Sequence, residues 1–253
     1  MVARSVRDAE VAGSNPAVPT RSPSACHVRR RDGIMVGIPF AESIPSDLER
    51  GRMQKLGPKH RMCRRVAAAV CGRPNCPASK QRPYPPGQHG RARRRLTEYH
   101  LRMLEKQKLR SIYWVGERQF RRYFQEATRK KTVTGEELLR LLETRLDSLV
   151  LRLGFAQTIH QARQLVSHGH ILLDGKRVNV PSATVRVGQV IEAGPKAKNF
   201  ISVREALEVT PDPPAYLERD KDQVRGRLIK EPARAEIPLP VPVEERLVVE
   251  FMS

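Results

Sequence analysis

The clearest periodic pattern in the chain begins at Thr158 and predicts a short helix. Thr158 is a favourable N-cap residue, and Gln161, three positions later, completes a capping box. Gly169 supplies the left-handed residue at which such a helix ends. The polar residues of this stretch fall on one side of the helix and the apolar residues on the other, so the stretch predicts a capped amphipathic helix. The apolar positions recur at helical spacing on the other side, and they are Ile159, Ala162, Leu165 and Val166.

A β-hairpin is predicted directly after this helix. The apolar run 171–173 is followed by Asp174 and Gly175, which are a strong two-residue turn signal. Residues 176–180, which begin with a Lys-Arg pair, form the returning strand. This pair then lies near the tip of the hairpin, beside hydrogen-bond donors of the helix. The helix and the hairpin together form a unit suited to hold a phosphate backbone.

Three longer helices are predicted upstream. The first covers residues 97–115 and the second covers residues 117–129. The third covers residues 134–153, and a capping box of Thr134 and Glu137 opens it. A continuous stripe of leucines runs along this third helix. The third helix is expected to pair with the helix after it in a helix-turn-helix-like arrangement.

The C-terminal third of the chain has weaker signals. Residues 189–193 predict a short strand, and residues 202–208 predict a brief helix. Residues 210–242 are rich in proline and are predicted to be irregular. Residues 247–251 predict a final strand that docks on another element. Helices that precede short strands in this way indicate an α+β fold.

The distribution of charge adds a polyanionic partner to this picture. The chain has 47 Lys and Arg residues against 27 Asp and Glu residues, a net charge of +20. Residues 52–131 alone carry 23 basic and 4 acidic residues, whereas residues 132–209 have a net charge of +2 and residues 210–253 of −2. A solubilising charge would be spread evenly, so this concentration is an electrostatic footprint for nucleic acid. No apolar run approaches the roughly 20 residues of a membrane span.

Residues 1–52 show no hydrophobic periodicity and differ from the rest of the chain. Three interpretations are open: a transit peptide, a disordered tail, or an upstream segment that is not translated because synthesis begins at Met35 or Met53. Asp8 and Glu10 count against a transit peptide, since such peptides are poor in acidic residues. We favour the third interpretation.

Residues 57–77 have the spacing of a metal site. Two residues separate His60 from Cys63, and four separate Cys71 from Cys76. Zinc prefers four nitrogen or sulfur ligands in a tetrahedron, and paired ligands let each half of the site form locally. Three free thiols in a basic arm are the alternative on spacing alone. The remaining cysteine lies far upstream and is not part of the predicted ligand set.

The candidate RNA-contacting residues lie in the basic part of the chain and in the helix–hairpin unit. Residues 82–95 form a loop that is stiffened by prolines and ends in arginines. Gly87 and Gly90 allow this loop to approach other backbone closely. Tyr84 in this loop is a candidate for stacking on a base. The full predicted set is Arg82, Tyr84, Gln88, His89, Arg91, Arg93, Arg94, Arg95, Arg102, Lys106, Arg110, Arg118, Arg121, Arg145, Arg152, Thr158, Gln161, Arg163, Gln164, Ser167, His168, Lys176 and Arg177.

Several long strings in the chain resemble the small-subunit ribosomal protein four family of bacteria. The resemblance runs from about Gly57 to Ser253, and residues 1–52 match nothing in that family. The unit that begins at Thr158 is similar to the core of what the family calls the S-four RNA-binding domain. The matching strings are RPYPPGQHGRAR, LEKQKLR, ERQFRRYF, TGEELLRLLETRLDSLVLRLGFA, ARQLVSHGHILLDGKRVNVPS and ERLVVEFMS.

This resemblance implies a function in the small ribosomal subunit, on cytoplasmic ribosomes. It implies a primary binder of 16S ribosomal RNA that starts assembly of the subunit body, contacts small-subunit ribosomal protein five and influences translational accuracy. It also implies that Arg93, Arg94 and Arg95 line the tunnel through which messenger RNA enters the ribosome. Many relatives bind zinc through two cysteine pairs in this region. Here His60 replaces the first cysteine, and one histidine with three cysteines is an acceptable zinc set.

The pattern and the resemblance together predict the domain organisation. We expect a helical basic N-terminal domain at residues 53–143, with the candidate zinc arm at 57–77. The S-four RNA-binding domain is expected at 144–209, as a helix-turn-helix-like pair followed by β-hairpins. Residues 210–253 are expected to pack back on the N-terminal domain. Residues 1–52 are expected to be a disordered or untranslated extension.

Two other functions compete with this one. An RNA-modifying enzyme is the first, since the S-four domain also occurs in pseudouridine synthases and in a tRNA synthetase. Such enzymes need a separate catalytic domain, and the proline-rich residues 210–253 are too few to build one. A helix-turn-helix DNA regulator is the second, but a hairpin straight after the second helix fits structured RNA better. The sequence therefore predicts an RNA-binding protein that is not an enzyme and has no membrane or small-molecule partner.

Overall fold

The structure is a computed structural model that describes residues 60–73, 75–92 and 97–253. In these residues the longer helices come first and an antiparallel sheet follows, which confirms the α+β prediction. No helix in this described part is long and apolar enough to cross a membrane. The interpretation of residues 1–52 concerns residues outside the described ones. The helices are α1 (Arg61–Val66), α2 (Pro77–Lys80), α3 (Glu98–Ile112), α4 (Glu117–Arg129), α5 (Thr134–Glu143), α6 (Leu146–Arg152), α7 (Ile159–Ser167), α8 (Pro195–Lys198), α9 (Ile201–Val209) and α10 (Glu245–Met252). The strands are β1 (Ile171–Leu173), β2 (Lys176–Val178), β3 (Val190–Ala193), β4 (Leu217–Asp220) and β5 (Arg225–Leu228).

A first apolar core lies among the N-terminal helices. α3 and α4 each bury one face, with Leu109 and Phe120 fully shielded from solvent, and α5 adds Leu142. α10 closes this core from the C-terminal end of the chain through Val248. Each fully buried side chain of this size contributes roughly 1.5–3 kcal/mol. The C-terminal helix is therefore an integral part of the helical half.

A second apolar core lies between α6, α7 and the sheet. The apolar face predicted for the helix after Thr158 is buried there, through Ala162, Leu165 and Val166. These side chains pack in one cluster with Ile171 of β1 and Ile191 of β3. The helix and the hairpin that follow Thr158 are therefore packed on one core.

The predicted hairpin is confirmed, with its turn at Asp174 and Gly175. Leu173 pairs with Lys176 across that turn. Both turn residues have positive φ, +50° at Asp174 and +76° at Gly175, as a two-residue turn that matches the twist of the strands requires. The Asp174 carboxylate also accepts the N–H of Val190 at 2.9 Å, which fastens the turn to β3.

The prediction that residues 210–242 are irregular is wrong, because β4 and β5 form a hairpin within them. The five strands make one antiparallel sheet in the order β2-β1-β3-β5-β4. Ile191 of β3 pairs with Gly226 of β5. A Cβ atom at Gly226 would lie 2.3 Å from Cδ2 of Leu153, so the end of α6 packs closely against the sheet here.

The prediction of a strand at residues 247–251 is also wrong, because these residues lie in α10. The rings of Phe251 and Tyr99 are 5.3 Å apart, between α10 and α3. Glu250 lies 3.1 Å from Nε of Arg102 on α3. A short apolar run suits a strand or a buried helix equally well, and the packing on α3 decides for the helix.

The helix predicted at residues 134–153 is two helices, α5 and α6. Arg145 between them is extended, with ψ of 143°, and it makes a β-bridge with Thr184. The N–H of Leu146 donates to the carbonyl of Ala183 at 2.8 Å. The leucine stripe continues across this break, which is why the pattern alone indicates a single helix.

The predicted helix caps have mixed outcomes. The hydroxyl of Thr158 accepts the N–H of Gln161 at 3.4 Å, and Thr97 caps α3 in the same way. The side chain of Gln161 accepts the N–H of Gln157 at 3.0 Å, so the second half of this capping box is shifted by one residue. Thr134 is not an N-cap, since the residue before it occupies that position without a side-chain cap.

Candidate nucleic-acid interface and metal centre

Four candidate metal ligands converge at the start of the described chain. His60 is the N-cap residue of α1, which carries Cys63. The turn after α1 brings back Cys71, and Cys76 is the N-cap residue of α2. One ligand atom from each of the four lies within 4.8 Å of the others. The structure therefore brings together the predicted ligand set.

The distances in this cluster fit a tetrahedral zinc site. Nδ1 of His60 lies 3.6 Å from Sγ of Cys76 and 3.7 Å from Sγ of Cys71. Zinc bond lengths of about 2.05 Å to nitrogen and about 2.3 Å to sulfur give a tetrahedral edge of about 3.6 Å. Four protein ligands fill all positions of such an ion, which is typical of structural rather than catalytic zinc.

Without a cation, the surroundings of Cys63 favour its neutral thiol. Cys63 and Cys76 are buried. Burial, followed by the neighbouring thiol of Cys71, raises the pKa of Cys63 to about 12. The Cys63 thiol resists ionisation because its thiolate would lose hydration and would be repelled by charge on a neighbouring thiol. A divalent cation reverses this balance, since its charge stabilises the thiolates that bind it.

The predicted loop is described from residue 82 to residue 92, and it folds back on itself. Gly87 has a φ of +106°, which L-residues rarely adopt. A Cβ atom at Gly90 would lie 2.0 Å from the carbonyl oxygen of Pro85, so only glycine fits this approach. The predicted close approach of backbone is therefore confirmed at Gly90, whereas nothing lies within 4 Å of a Cβ atom at Gly87, where glycine serves the positive φ instead.

Tyr84 in this loop lies against two guanidinium groups. Those of Arg91 and Arg64 lie 5.1 Å and 5.3 Å from the centroid of its ring. A hydrogen bond from Arg91, with the nearby positive charges, lowers the pKa of the Tyr84 phenol. The ring thus has cationic partners within the chain, and base stacking by Tyr84 stays a prediction. Arg82, Gln88, His89 and Arg91 are exposed, whereas Arg93, Arg94 and Arg95 lie outside the described residues.

Three cations of α3 in the predicted RNA-contacting set have partners inside the chain. Lys106 lies 2.7 Å and Arg110 lies 2.9 Å from the carboxylate of Glu117. The side chain of Lys106 is only 8% exposed. Arg102 pairs with Glu250 of α10. The positions of Lys106 and Arg110 disagree with their predicted contact with RNA, because both side chains form ion pairs with Glu117 of α4.

The outer face of α4 carries exposed cations. Arg118 and Arg121 are exposed, as expected for RNA contacts. Arg122 and Arg129 are exposed as well, although they are missing from the predicted set. Their spacing of four and eleven residues from Arg118 places them on the same side of a helix, and this signal was available in the sequence. Arg61 and Arg65 of α1 are also exposed and were missed.

Arg145 lies in the interior, which corrects its predicted contact with RNA. Its guanidinium donates to both carboxylate oxygens of Asp147, at 2.9 Å and 2.5 Å, and to the hydroxyl of Tyr123 at 2.8 Å. The side chain is 1% exposed. A guanidinium with these partners holds α4 against the start of α6 and cannot reach a phosphate.

Arg152 belongs to a second buried network, centred on Glu143. Nε of Arg152 lies 2.5 Å from the Glu143 carboxylate, and the hydroxyls of Tyr113 and Tyr216 donate to it at 2.6 Å and 2.7 Å. Burial alone raises the pKa of Glu143, but Arg152 and these hydrogen bonds outweigh it and hold the pKa below its ordinary value. Arg152 is 13% exposed, so its predicted RNA contact does not agree with this position either. We call these two networks, around Asp147 and Glu143, the junction.

The polar side chains of the helix–hairpin unit are partly bonded within the chain and partly exposed. Arg177 donates to the carbonyl of His168 at 2.9 Å, which closes the hairpin onto the end of α7. Arg163 donates to the carbonyl of Trp114 at 2.8 Å, and Gln161 donates to the carbonyl of Ser202. Thr158 is occupied as the cap. The predicted residues of this unit that are exposed are Gln164, Ser167, His168, Lys176 and Arg177.

Two protein families match the chain in adjoining segments. Residues 54–143 match the family described as Ribosomal protein S4/S9 N-terminal domain. Residues 144–191 match the family described as S4 domain. The boundary between the two matches falls at the break between α5 and α6.

The chain is similar over most of its length to curated proteins named small ribosomal subunit protein uS4. It is 50% identical over 205 residues to the one from Dictyoglomus turgidum, 49% identical over 197 residues to that of Rubrobacter xylanophilus, and 47% identical over 206 residues to that of Aquifex aeolicus. Each comparison covers 78% of this chain and 97% of the relative. The chain therefore belongs to the uS4 family of small ribosomal subunit proteins.

Proposed function

We propose that the protein is a structural constituent of the small ribosomal subunit and a primary binder of 16S ribosomal RNA. The observation that carries this proposal is the concentration of positive charge in residues 52–131, which we call the basic half. This segment contains 23 basic residues and only 4 acidic ones. This basic half adjoins the α7–hairpin unit in the fold, as Arg163 and Trp114 show by their hydrogen bond. Relatives with ribosomal names support the same partner. No catalytic step is part of the proposal.

The two halves have different tasks in this proposal. Exposed arginines of α1, of the loop 82–92 and of α4 neutralise phosphates, and such contacts supply affinity without reading sequence. The exposed side chains of α7 and of the hairpin are held in a fixed arrangement by Arg177. They recognise the shape of the folded RNA, because structured RNA is recognised largely by shape. Affinity thus comes mainly from the basic half and selectivity from the helix–hairpin unit.

Finer roles extend the proposal to the working subunit. The protein nucleates assembly of the subunit body, and together with small-subunit ribosomal protein five it affects translational accuracy. Arg93, Arg94 and Arg95 contact the messenger RNA at its tunnel. The resemblance of the string RPYPPGQHGRAR to the family supports this role, and so does the exposure of Arg91 next to it.

His60, Cys63, Cys71 and Cys76 hold one structural zinc ion in this proposal. The ion supplies a covalent-like cross-link between α1, the turn after it and the start of α2. The near-tetrahedral spacing of the ligand atoms supports this assignment. The chain contributes the buried shell that shields the thiols from solvent.

Two experiments test the proposed function. Mass spectrometry of the proteins released from purified small subunits is expected to find this chain, and its absence would overturn the proposal. Filter binding at physiological salt compares a fragment of 16S ribosomal RNA with a fragment of large-subunit RNA of equal length. The two fragments carry the same charge, so tighter binding to the 16S fragment reports selectivity. Equal affinities would overturn the proposed role of the helix–hairpin unit.

A further inference from the structure

Arg64 connects the loop at residues 82–92 to the candidate zinc arm at residues 57–77, which we call the metal arm. Its Nε donates to the carbonyl of Tyr84 at 3.1 Å, and its Nη2 donates to the carbonyl of Pro85 at 3.4 Å. The same guanidinium lies over the ring of Tyr84. Arg64 directly follows Cys63 in α1. The residue that holds the loop is thus the neighbour of a metal ligand.

A second connection runs through Cys76. The N–H and the hydroxyl of Ser79 both donate to the carbonyl of Cys76, at 3.2 Å and 3.0 Å. The N–H of Arg82, where the loop begins, donates to the carbonyl of Pro77 at 2.7 Å. The loop therefore starts from a short helix whose first turn is anchored at another metal ligand.

The backbone hydrogen bonds within the loop span only three residues, and one side-chain hydrogen bond, from Arg91 to the hydroxyl of Tyr84, spans seven. The N–H of Gly90 donates to Gly87, and that of Ala92 donates to His89, both at 3.1 Å. The three prolines of the loop have no N–H to donate. The ring of Tyr84 lies between the guanidinium of Arg91, from the loop, and that of Arg64, from the arm. The shape of the loop thus depends on its anchors in the metal arm.

We propose that metal binding in the arm orders the loop, and that Arg64 is the positioning residue that transmits this order. The inference rests on the zinc site proposed above. An ion held by Cys63 and Cys76 fixes α1 relative to the start of α2, and both anchors of the loop are fixed with them. Arg82 and Arg91 are then presented in one arrangement before RNA arrives. Such preorganisation reduces the ordering cost of binding.

Hydrogen exchange of the full-length chain, measured by mass spectrometry, tests this inference. Wild type, Arg64→Gln and Arg65→Gln are each compared with zinc bound and after treatment with a chelator. Arg65 is the matched control, because it is exposed, adjacent and equally charged, and its loss removes the same charge without the anchor. Peptides covering residues 82–92 and 61–71 report on the loop and on the arm. Elemental analysis of the same samples counts the zinc.

With zinc bound, we expect the loop peptide of Arg64→Gln to exchange about tenfold faster than that of wild type, because two charge-assisted hydrogen bonds are lost. Arg65→Gln should exchange like wild type. All three proteins should hold one zinc per chain and show the same exchange in the arm. Chelation should accelerate the loop of wild type about tenfold and that of Arg64→Gln by a clearly smaller factor, because only the anchor at Cys76 is left to lose.

The outcomes separate this inference from the zinc site. Equal loop exchange in all three zinc-loaded proteins would overturn the coupling and leave the zinc site standing. Absence of zinc from wild type would overturn both. An effect of Arg65→Gln as large as that of Arg64→Gln would assign the effect to charge and overturn the role of Arg64. If Arg64→Gln also loosens the arm, Arg64→Lys must give intermediate loop exchange with an intact arm, or the inference fails.

Discussion

Arginines on the outer face of α4 and arginines at the junction are the same residue type in opposite surroundings. Arg118, Arg122 and Arg129 are exposed on α4. Arg145 is buried at the junction and Arg152 is partly buried there, and each is bonded to a buried carboxylate. The first group is available to a partner outside the chain. The second group already has its partners and serves the fold.

Net charge alone therefore does not locate a binding surface. The count of basic residues includes cations that are fully satisfied by the chain, such as Arg145 with Asp147 and Tyr123. In residues 52–131 only 4 acidic residues stand against 23 basic ones, so most of these cations have no acidic neighbour in that stretch. Burial and partners, rather than residue type, decide which arginines can bind a phosphate.

The largest effect is expected at the junction. Glu143→Gln removes the charge that compensates buried Arg152, and breaking a buried ion pair costs about 3–5 kcal/mol. We therefore expect the free energy of unfolding, measured with urea, to fall by that amount. Glu126→Gln on the exposed face of α4 is the matched control, and it should change stability by less than about 0.5 kcal/mol. Similar stabilities of the two variants would break the contrast between the regions.

The pH dependence of stability gives a second test of the junction. The pKa of Glu143 is held below its ordinary value of 4.5 in the folded protein. Its stabilising contribution is therefore fully present above pH 4.5 and is lost as the pH falls through the lowered folded-state value. The gap in unfolding free energy between wild type and Glu143→Gln should be constant between about pH 5 and 7 and narrow in more acidic solution. A gap that widens in acid would contradict this assignment.

The candidate metal ligands belong with the exposed arginines of α4 in this comparison, because we propose that their partner also comes from outside the chain. Cys76→Ser removes one of four ligands, and we expect zinc to fall from one per chain to less than about 0.1 after dialysis. His168→Ala is the control, since this exposed histidine lies outside the ligand cluster, and it should keep one zinc. Elemental analysis measures both. Full zinc occupancy in Cys76→Ser would refute the four-ligand site.

Signals that act over a few residues were sufficient to predict much of the structure. The ligand spacing around His60 and Cys63 predicted the metal cluster. The Thr158 cap and the Asp174-Gly175 turn predicted α7 and its hairpin, and α4 has the predicted bounds. Each of these features is decided by neighbours along the chain, which is why a single sequence reveals it.

Features decided by distant partners could not be predicted in this way. The break before α6 depends on the bridge of Arg145 to Thr184, and the hairpin in the proline-rich segment depends on pairing with β3. The helical state of α10 depends on its contact with α3, through Phe251 and Tyr99. The burial of Arg145 and Arg152 has the same origin, and it removed two residues from the predicted RNA-binding set.

The salt dependence of RNA binding tests the central claim most directly, namely that exposed cations of the basic half supply the electrostatic affinity. Arg118→Ala combined with Arg122→Ala should reduce the slope of log affinity against log salt by about 2, since each lost phosphate contact accounts for about 0.9. Arg186→Ala combined with Lys196→Ala removes the same charge from exposed positions of the sheet half and should change the slope by less than about 0.5. An unchanged slope in the α4 variant, or an equal loss in both variants, would contradict the account.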